Sequence, residues 1–281
     1  MRQTPRRLIA SRITHLAVTI GRGSVGQLNI ALLLTAALGV GLFVFAETRT
    51  TSPLVRLKTF RDPTLSASLV MSTLVSTVMM ATLVVGPFYL SRALDLDAAV
   101  VGLVLSVGPL AAALTGLPAG RLADRFGAPR MTMVGLFGIA AGSFALSAIP
   151  TTLGIPGYIV PIAVITAGYS IFQTANNTTV MTDVRPDQRG VISGVLNLSR
   201  NLGLITGASV MGAVFAFASG PSDIETATPD AVATGMQVTF LTAAILILVA
   251  LALTIGSRAL ANQKRRRAGS LIAPELDPLL Q

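Results

Sequence analysis

Charge is scarce in this sequence. Only 12% of its 281 residues are Asp, Glu, Lys or Arg, while 52% are hydrophobic, against about 25% charged in an average soluble domain. So few charges do not cover the outside of a soluble protein of this length, so the apolar excess has to face lipid. Cysteine is absent, which excludes disulfides and thiolate metal sites and leaves the redox compartment open. Histidine occurs once, at His15, among basic residues, where it reads as a solvated polar side chain rather than a ligand. No His and carboxylate cluster has metal spacing, no serine has a histidine partner within a plausible span, and no phosphate-cradling glycine loop occurs. These absences point away from an enzyme, from ATP as the energy source and from any metal or other cofactor. The net charge is +9, but aromatic residues do not interleave with the basic clusters. The expected partner is therefore the lipid bilayer and not nucleic acid.

What is abundant is long apolar runs. About 20 apolar residues at 1.5 Å rise cross about 30 Å of hydrocarbon, and seven runs qualify: Leu28–Ala46, Thr64–Leu90, Ala98–Ala119, Met131–Ile149, Ile155–Met181, Gly190–Ser219 and Ala231–Ser257. The fold class expected is all-α, a polytopic membrane helix bundle. Pro87, Pro109 and Pro161 fall inside runs, where membrane helices tolerate them as kinks. Segments 47–63, 120–130, 182–189 and 258–281 carry 4, 3, 2 and 5 basic residues, whereas 91–97, 150–154 and 220–230 carry 1, 0 and 0. By the positive-inside rule the basic set is cytoplasmic, which predicts a multi-pass inner (plasma) membrane protein with a cytoplasmic C-terminus. Seven spans, however, place Arg2, Arg6, Arg7, Arg12 and Arg22 outside. Either the first run does not span in the usual way or an upstream helix is missing; the self-consistency of the last six runs favours the second. Residues 1–27 read as an uncleaved basic leader or as the cut end of a longer protein.

Small residues recur at four-residue spacing, as Gly116/Gly120, Gly138/Gly142, Gly190/Gly194 and Gly203/Gly207. Such pairs let membrane helices approach closely. The stretch AGRLADRFGAPRM, Ala119–Met131, packs three arginines and one aspartate between two apolar runs. Gly120 is expected to end one helix and Gly127 to permit a sharp turn. Arg121, Arg125 and Arg130 suit lipid phosphate or a carboxylate. Asp124 either pairs with them or accepts bonds from a helix N-terminus, which would make it a latch on a moving half; the plainer reading is a topology-setting loop with an incidental acid.

Gly120-x-Leu122-Ala123-Asp124-Arg125-x-Gly127-Ala128-Pro129-Arg130 resembles the signature between the second and third helices of each half of major facilitator superfamily transporters. The usual basic residues after the second glycine are here Ala128 and Pro129. The resemblance implies that Asp124 and Arg125 help hold one gating state. A second stretch, Phe172–Gly203, is similar to the late cytoplasmic loop of fourteen-helix drug:proton antiporters, through Asn176-Asn177, Pro186, Arg189-Gly190, Ser193-Gly194, Asn197, Arg200 and Gly203. The likeness covers about residues 28–257 and concerns the C-terminal half of such a carrier. It implies half of a major-facilitator fold: a linker helix at 28–46, a cytoplasmic link at 47–63, a six-helix half at 64–257 and a basic tail at 258–281. The antiporter signature and the proton-carrying carboxylates of the family belong to the other half; Gly86-Pro87 and Gly108-Pro109 do not reproduce that signature. Alternating access then requires a second copy or an N-terminal half as partner.

Polar groups inside the runs complete the reading. Tyr169, Gln173, Asn176 and Asn177 share one helical face, and Asn197, Arg200 and Asn201 share a face of the next helix. Arg200 stands out, because a charge at that depth costs at least about 2.5 kcal/mol unless it meets a cavity or partner. All 12 acidic residues fall in loops, ends or tails. The polar set either lines a pathway for a small amphipathic substrate, with Tyr89, Met79 and Met80 as apolar contacts, or bonds helix to helix. The function expected is drug export by proton antiport within a larger or split carrier. The alternatives are a non-transporting membrane scaffold and a carrier of sugars or other metabolites.

Overall fold

The computed structural model describes residues 62–272 apart from Asp183 and 221–226, with side chains up to residue 256, and in addition positions 34, 35, 38, 39, 41, 42 and 45. The chain divides into two units, 1–56 and 57–281. In the first, the described positions lie within the run 28–46 and are helical. The leader with His15, the link up to residue 61, Asp183, Asp223, Glu225 and residues 273–281 lie outside the described residues.

Lipid offers no hydrogen bonds, so a crossing backbone has to satisfy its own polar groups. Among the described residues of the second unit the chain does so with helices alone and no strand. The helices are α1 (Pro63–Phe88), α2 (Ala98–Phe126), α3 (Ala128–Ala148), α4 (Gly154–Thr182), α5 (Arg189–Ala218) and α6 (Pro229–Ile272). All six are long and apolar enough to cross a membrane. Two acids at segment ends start helices. Asp62 accepts from the Thr64 N–H at 3.0 Å, with Pro63 at the first helical position, and Asp97 accepts from the N–H groups of Ala99 and Val100 at 2.9 and 3.1 Å. Each carboxylate satisfies orphan donors of a first turn and sits at the positive end of the helix dipole. After Pro87, which has no N–H to give, α1 runs into a π-helical turn at Tyr89–Ala93.

Two boundaries differ from the expected ones. Gly120 does not end a helix: α2 continues through it to Phe126, and only Gly127, at φ 88°, breaks the helix. A glycine tolerates helical geometry, whereas a positive φ is what stops the ladder. At the other end of the unit, α6 runs on as helix into the basic segment as far as Ile272.

The core joins α1, α3, α4 and α6 through Val75, Val85, Leu136, Ile139, Ile165, Phe172, Phe240 and Ile247. The main packed pairs are α3 with α4, α1 with α5, α2 with α4, and α6 with both α3 and α1. Small residues make the closest of these seams. A Cβ at Gly203 would collide with the Thr73 carbonyl oxygen, and one at Gly207 would lie 2.6 Å from the Thr77 carbonyl oxygen. Across this seam the hydroxyls of Thr73 and Thr77 donate to the carbonyls of Ser199 and Gly203, each at 3.1 Å. On α3, a Cβ at Gly142 would lie 2.9 Å from the Pro161 carbonyl oxygen, and one at Gly135 would lie 2.7 Å from the Gly168 carbonyl oxygen. By contrast, nothing lies within 4 Å of a Cβ at Gly116, Gly120, Gly190 or Gly194. These four seat no neighbour among the described residues, because they face away from the bundle. The outward surface is apolar, with Leu117 80% and Phe217 90% exposed, as lipid requires.

Gly207→Leu will push α1 and α5 apart against backbone atoms and cost about 1–3 kcal/mol, the usual range for overpacking. Gly194→Ala will leave stability unchanged or raise it. Unfolding of the purified chain in mixed micelles checks both.

Candidate functional site

The loop between α2 and α3 is built from a single residue of turn. Gly127 donates to the Ala123 carbonyl at 3.0 Å, and its own carbonyl accepts from Arg130 and Met131. Ala123, Ala128 and Met131 pack with Ala175 of α4, which fixes the loop to the bundle. Arg121, Asp124, Arg125 and Arg130 all remain exposed. The Arg125 guanidinium lies 5.3 Å from the Phe126 ring centroid. Asp124 pairs with none of the neighbouring arginines, and the ion pair among the described residues is Arg185 with Asp187. The acid of this loop is therefore presented outward and not spent on its own loop.

The polar residues of α4 and α5 meet across the membrane interior. Tyr169, Gln173 and Asn177 follow one stripe of α4, and Asn197 and Arg200 one stripe of α5. With the Gln173 amide oriented by its neighbours, its oxygen accepts from both terminal nitrogens of Arg200 at 3.0 Å, and its nitrogen donates to the Tyr169 hydroxyl at 3.1 Å. Arg200 lies about 16 Å into α5. The two ends of this Tyr169–Gln173–Arg200 array line two different cavities. One is a polar cleft of about 390 Å³ lined by Asn177, Met181, Ser193, Leu196, Asn197 and Arg200. The other is a largely apolar cavity of about 290 Å³ whose walls include Met79, Leu105, Pro109, Tyr158, Ile162 and Tyr169. The cleft lies toward the α4–α5 link, and the apolar cavity lies deeper, between α1, α2, α4 and α5.

Three residues expected on the pathway lie elsewhere. Tyr89 is 1% exposed, stacks on Tyr158 at 5.9 Å between centroids and has no hydrogen-bond partner for its hydroxyl. It belongs to the core, where it continues the buried stripe of α1 four residues after Val85. Asn176 turns to α1, where its amide donates to the Ser72 hydroxyl at 3.0 Å and to the Ser68 carbonyl at 3.4 Å. It ties helices together. Asn201 is exposed and lines neither cavity. Sequence reasoning missed Tyr158 and Thr166. The signal was there, since Tyr158, Ile162, Thr166 and Tyr169 recur at helical spacing along the wall of the apolar cavity.

The family profile described as Major Facilitator Superfamily matches residues 14–208. The uncharacterized transporter YebQ of Escherichia coli strain K12 is 32% identical over 183 residues, which is 65% of this chain and 40% of YebQ. The drug efflux pump JefA of Mycobacterium tuberculosis strain H37Rv is 29% identical over 211 residues, 74% of this chain and 41% of the pump. The quinolone resistance protein NorB of Staphylococcus aureus strain MRSA252 is 25% identical over 226 residues, 78% of this chain and 48% of NorB. The chain thus spans less than half the length of these relatives. Among solved structures, the nucleoside transporter NupG (D323A mutant) superposes with a TM-score of 0.59 at 18% identity, over 71% of this chain and 50% of NupG, a likeness of fold alone. A profile match over more than half the chain and a six-helix bundle with the loop signature between α2 and α3 agree: the chain belongs to the Major Facilitator Superfamily.

Proposed function

We propose that this chain forms one wall of an export pathway for amphipathic compounds. The observation that carries this reading is the Tyr169–Gln173–Arg200 array, whose Arg200 end lines a polar cleft and whose Tyr169 end lines an apolar cavity. A compound with a polar head and an apolar body is complementary to such a pair of spaces. JefA and NorB, named for drug efflux and quinolone resistance, support the same substrate class.

Alternating access moves two repeats against each other around a midplane site, so the pathway is completed by a second half, either another copy or an N-terminal half. In this reading proton antiport drives export. No carboxylate lies deep in a described span of this chain; in this reading an N-terminal half supplies the proton carriage, and a pair of copies moves substrate only down its gradient. The outward Asp124 and Arg125 serve as the latch of one gating state against it. The protein sits in the inner membrane with the α2–α3 loop and the C-terminus in the cytoplasm.

In cells making this chain, efflux of the uncharged amphipathic dye Nile red will exceed the empty-vector rate. Ala112→Phe, which fills the apolar cavity, and Asp124→Asn, which removes the latch, will each return it to that rate. No efflux from a folded, inserted chain would sink transport by this chain alone.

Sidedness has its own check. The chain has no native cysteine, and Phe126 and Leu153 are exposed at opposite ends of α3. On intact cells a membrane-impermeant maleimide will label Leu153→Cys and spare Phe126→Cys until the membrane is opened. The opposite pattern would overturn the orientation.

A further inference from the structure

Arg200 is the charged side chain that lies deepest in a span among the described residues, and its partner is neutral. The Gln173 carboxamide oxygen takes two of its donors but cancels none of its charge, and no carboxylate among the described residues lies within ion-pair distance of it. A guanidinium has five donors, and a desolvated cation is costly without an opposite charge. Arg200 also lines the polar cleft, where its companions Asn177, Ser193 and Asn197 are uncharged. The cleft therefore offers one full positive charge and several neutral hydrogen-bonding groups.

We propose that Arg200 is the head-group site for an anionic substrate: an amphipathic carboxylate or sulfonate whose charged end sits on Arg200 in the cleft and whose apolar body reaches the cavity beside Tyr169. Arg200 matches a carboxylate or sulfonate geometrically, because its planar fork of donors binds two oxygens at once, and charge-assisted bonds of this kind are about twice as strong as neutral ones. The path from head to body is short, since Tyr169 lines the apolar cavity and reaches Arg200 through the single residue Gln173. A cationic compound gains nothing from this wall and is repelled by it. The inference rests on the export-pathway reading and sharpens it, by naming the charge of the compound this half of the site selects.

The competing role for Arg200 is a helix tie between α4 and α5, to which the charge of a ligand is irrelevant. The test is titration calorimetry of the purified full chain in lipid nanodiscs at neutral pH, with protein-free nanodiscs subtracted. The probes are 4-(2-naphthyl)butyrate and its uncharged amide, identical in shape apart from the charge. The expected result is binding of the butyrate about tenfold tighter than the amide. Arg200→Gln and Gln173→Glu will each bring the ratio of butyrate to amide affinity to about one, the first by removing the charge and the second by supplying an internal counter-ion. Gln173→Glu strengthens a helix tie, so loss of preference in that variant is not loss of fold. Equal binding of the two probes by the unaltered chain would overturn the anion site and leave the pathway reading standing. A preference that persists in both variants would likewise overturn it, by placing the anion elsewhere. No binding of either probe by a helical, monodisperse chain would overturn the pathway reading and this inference together.

Discussion

Lipid as solvent removes both the hydrogen bonds water offers to a backbone and the hydrophobic drive that pushes helices together. Association then depends on how closely backbones approach, and that closeness is decided by a few seams of small residues. The α1–α5 seam, where Gly203 and Gly207 seat Thr73 and Thr77 and the threonine hydroxyls donate across to carbonyls, fixes the rotation of α5 about its axis. With that rotation set, Arg200 faces α4 and Asn197 opens onto the cleft. The α3–α4 seam, through Gly135, Gly142 and Gly168, sets the rotation of α4 in the same way and brings Gln173 to Arg200.

Charge is distributed with the same economy. Asp62 and Asp97 hold first turns, and the arginines of the α2–α3 loop stay at the surface. Among the described residues only Arg200 is carried far into a span, and it is met there by an amide. The result is a wall with a gradient of polarity along it, from amide-lined cleft through a single guanidinium to an apolar cavity.

Much of this was legible in the sequence, and the misses share a cause. Run lengths and punctuation marked most helix ends to within a few residues, because hydropathy and helix-stopping chemistry act locally, whereas α2 and α6 run on past their apolar runs into basic segments. Glycine pairs at equal spacing looked alike, yet Gly203 and Gly207 seat a neighbouring helix while Gly190 and Gly194 of the same α5 face open space. Spacing defines a face but not what that face meets. Tyr89 was placed on the pathway and Tyr158 overlooked for the same reason: each follows a regular helical stripe, Tyr89 four residues after Val85 and Tyr158 four before Ile162, and spacing does not tell which stripe meets the core and which a cavity. Asn176 and Asn177 are adjacent in sequence, but one is bonded to α1 and the other lines the cleft, since neighbours on a helix point about 100° apart.

The sequence by itself determined where the six apolar helices of the second unit lie, where their charged ends lie and to which superfamily the chain belongs. Composition, hydropathy and short motifs are properties of contiguous residues. The tertiary structure alone decided which face each helix turns inward, and so which polar residues form the site. That choice is made between residues as far apart as Thr73 and Ser199, 126 positions distant in the chain, where the fit of one backbone against another and no local preference selects the winner.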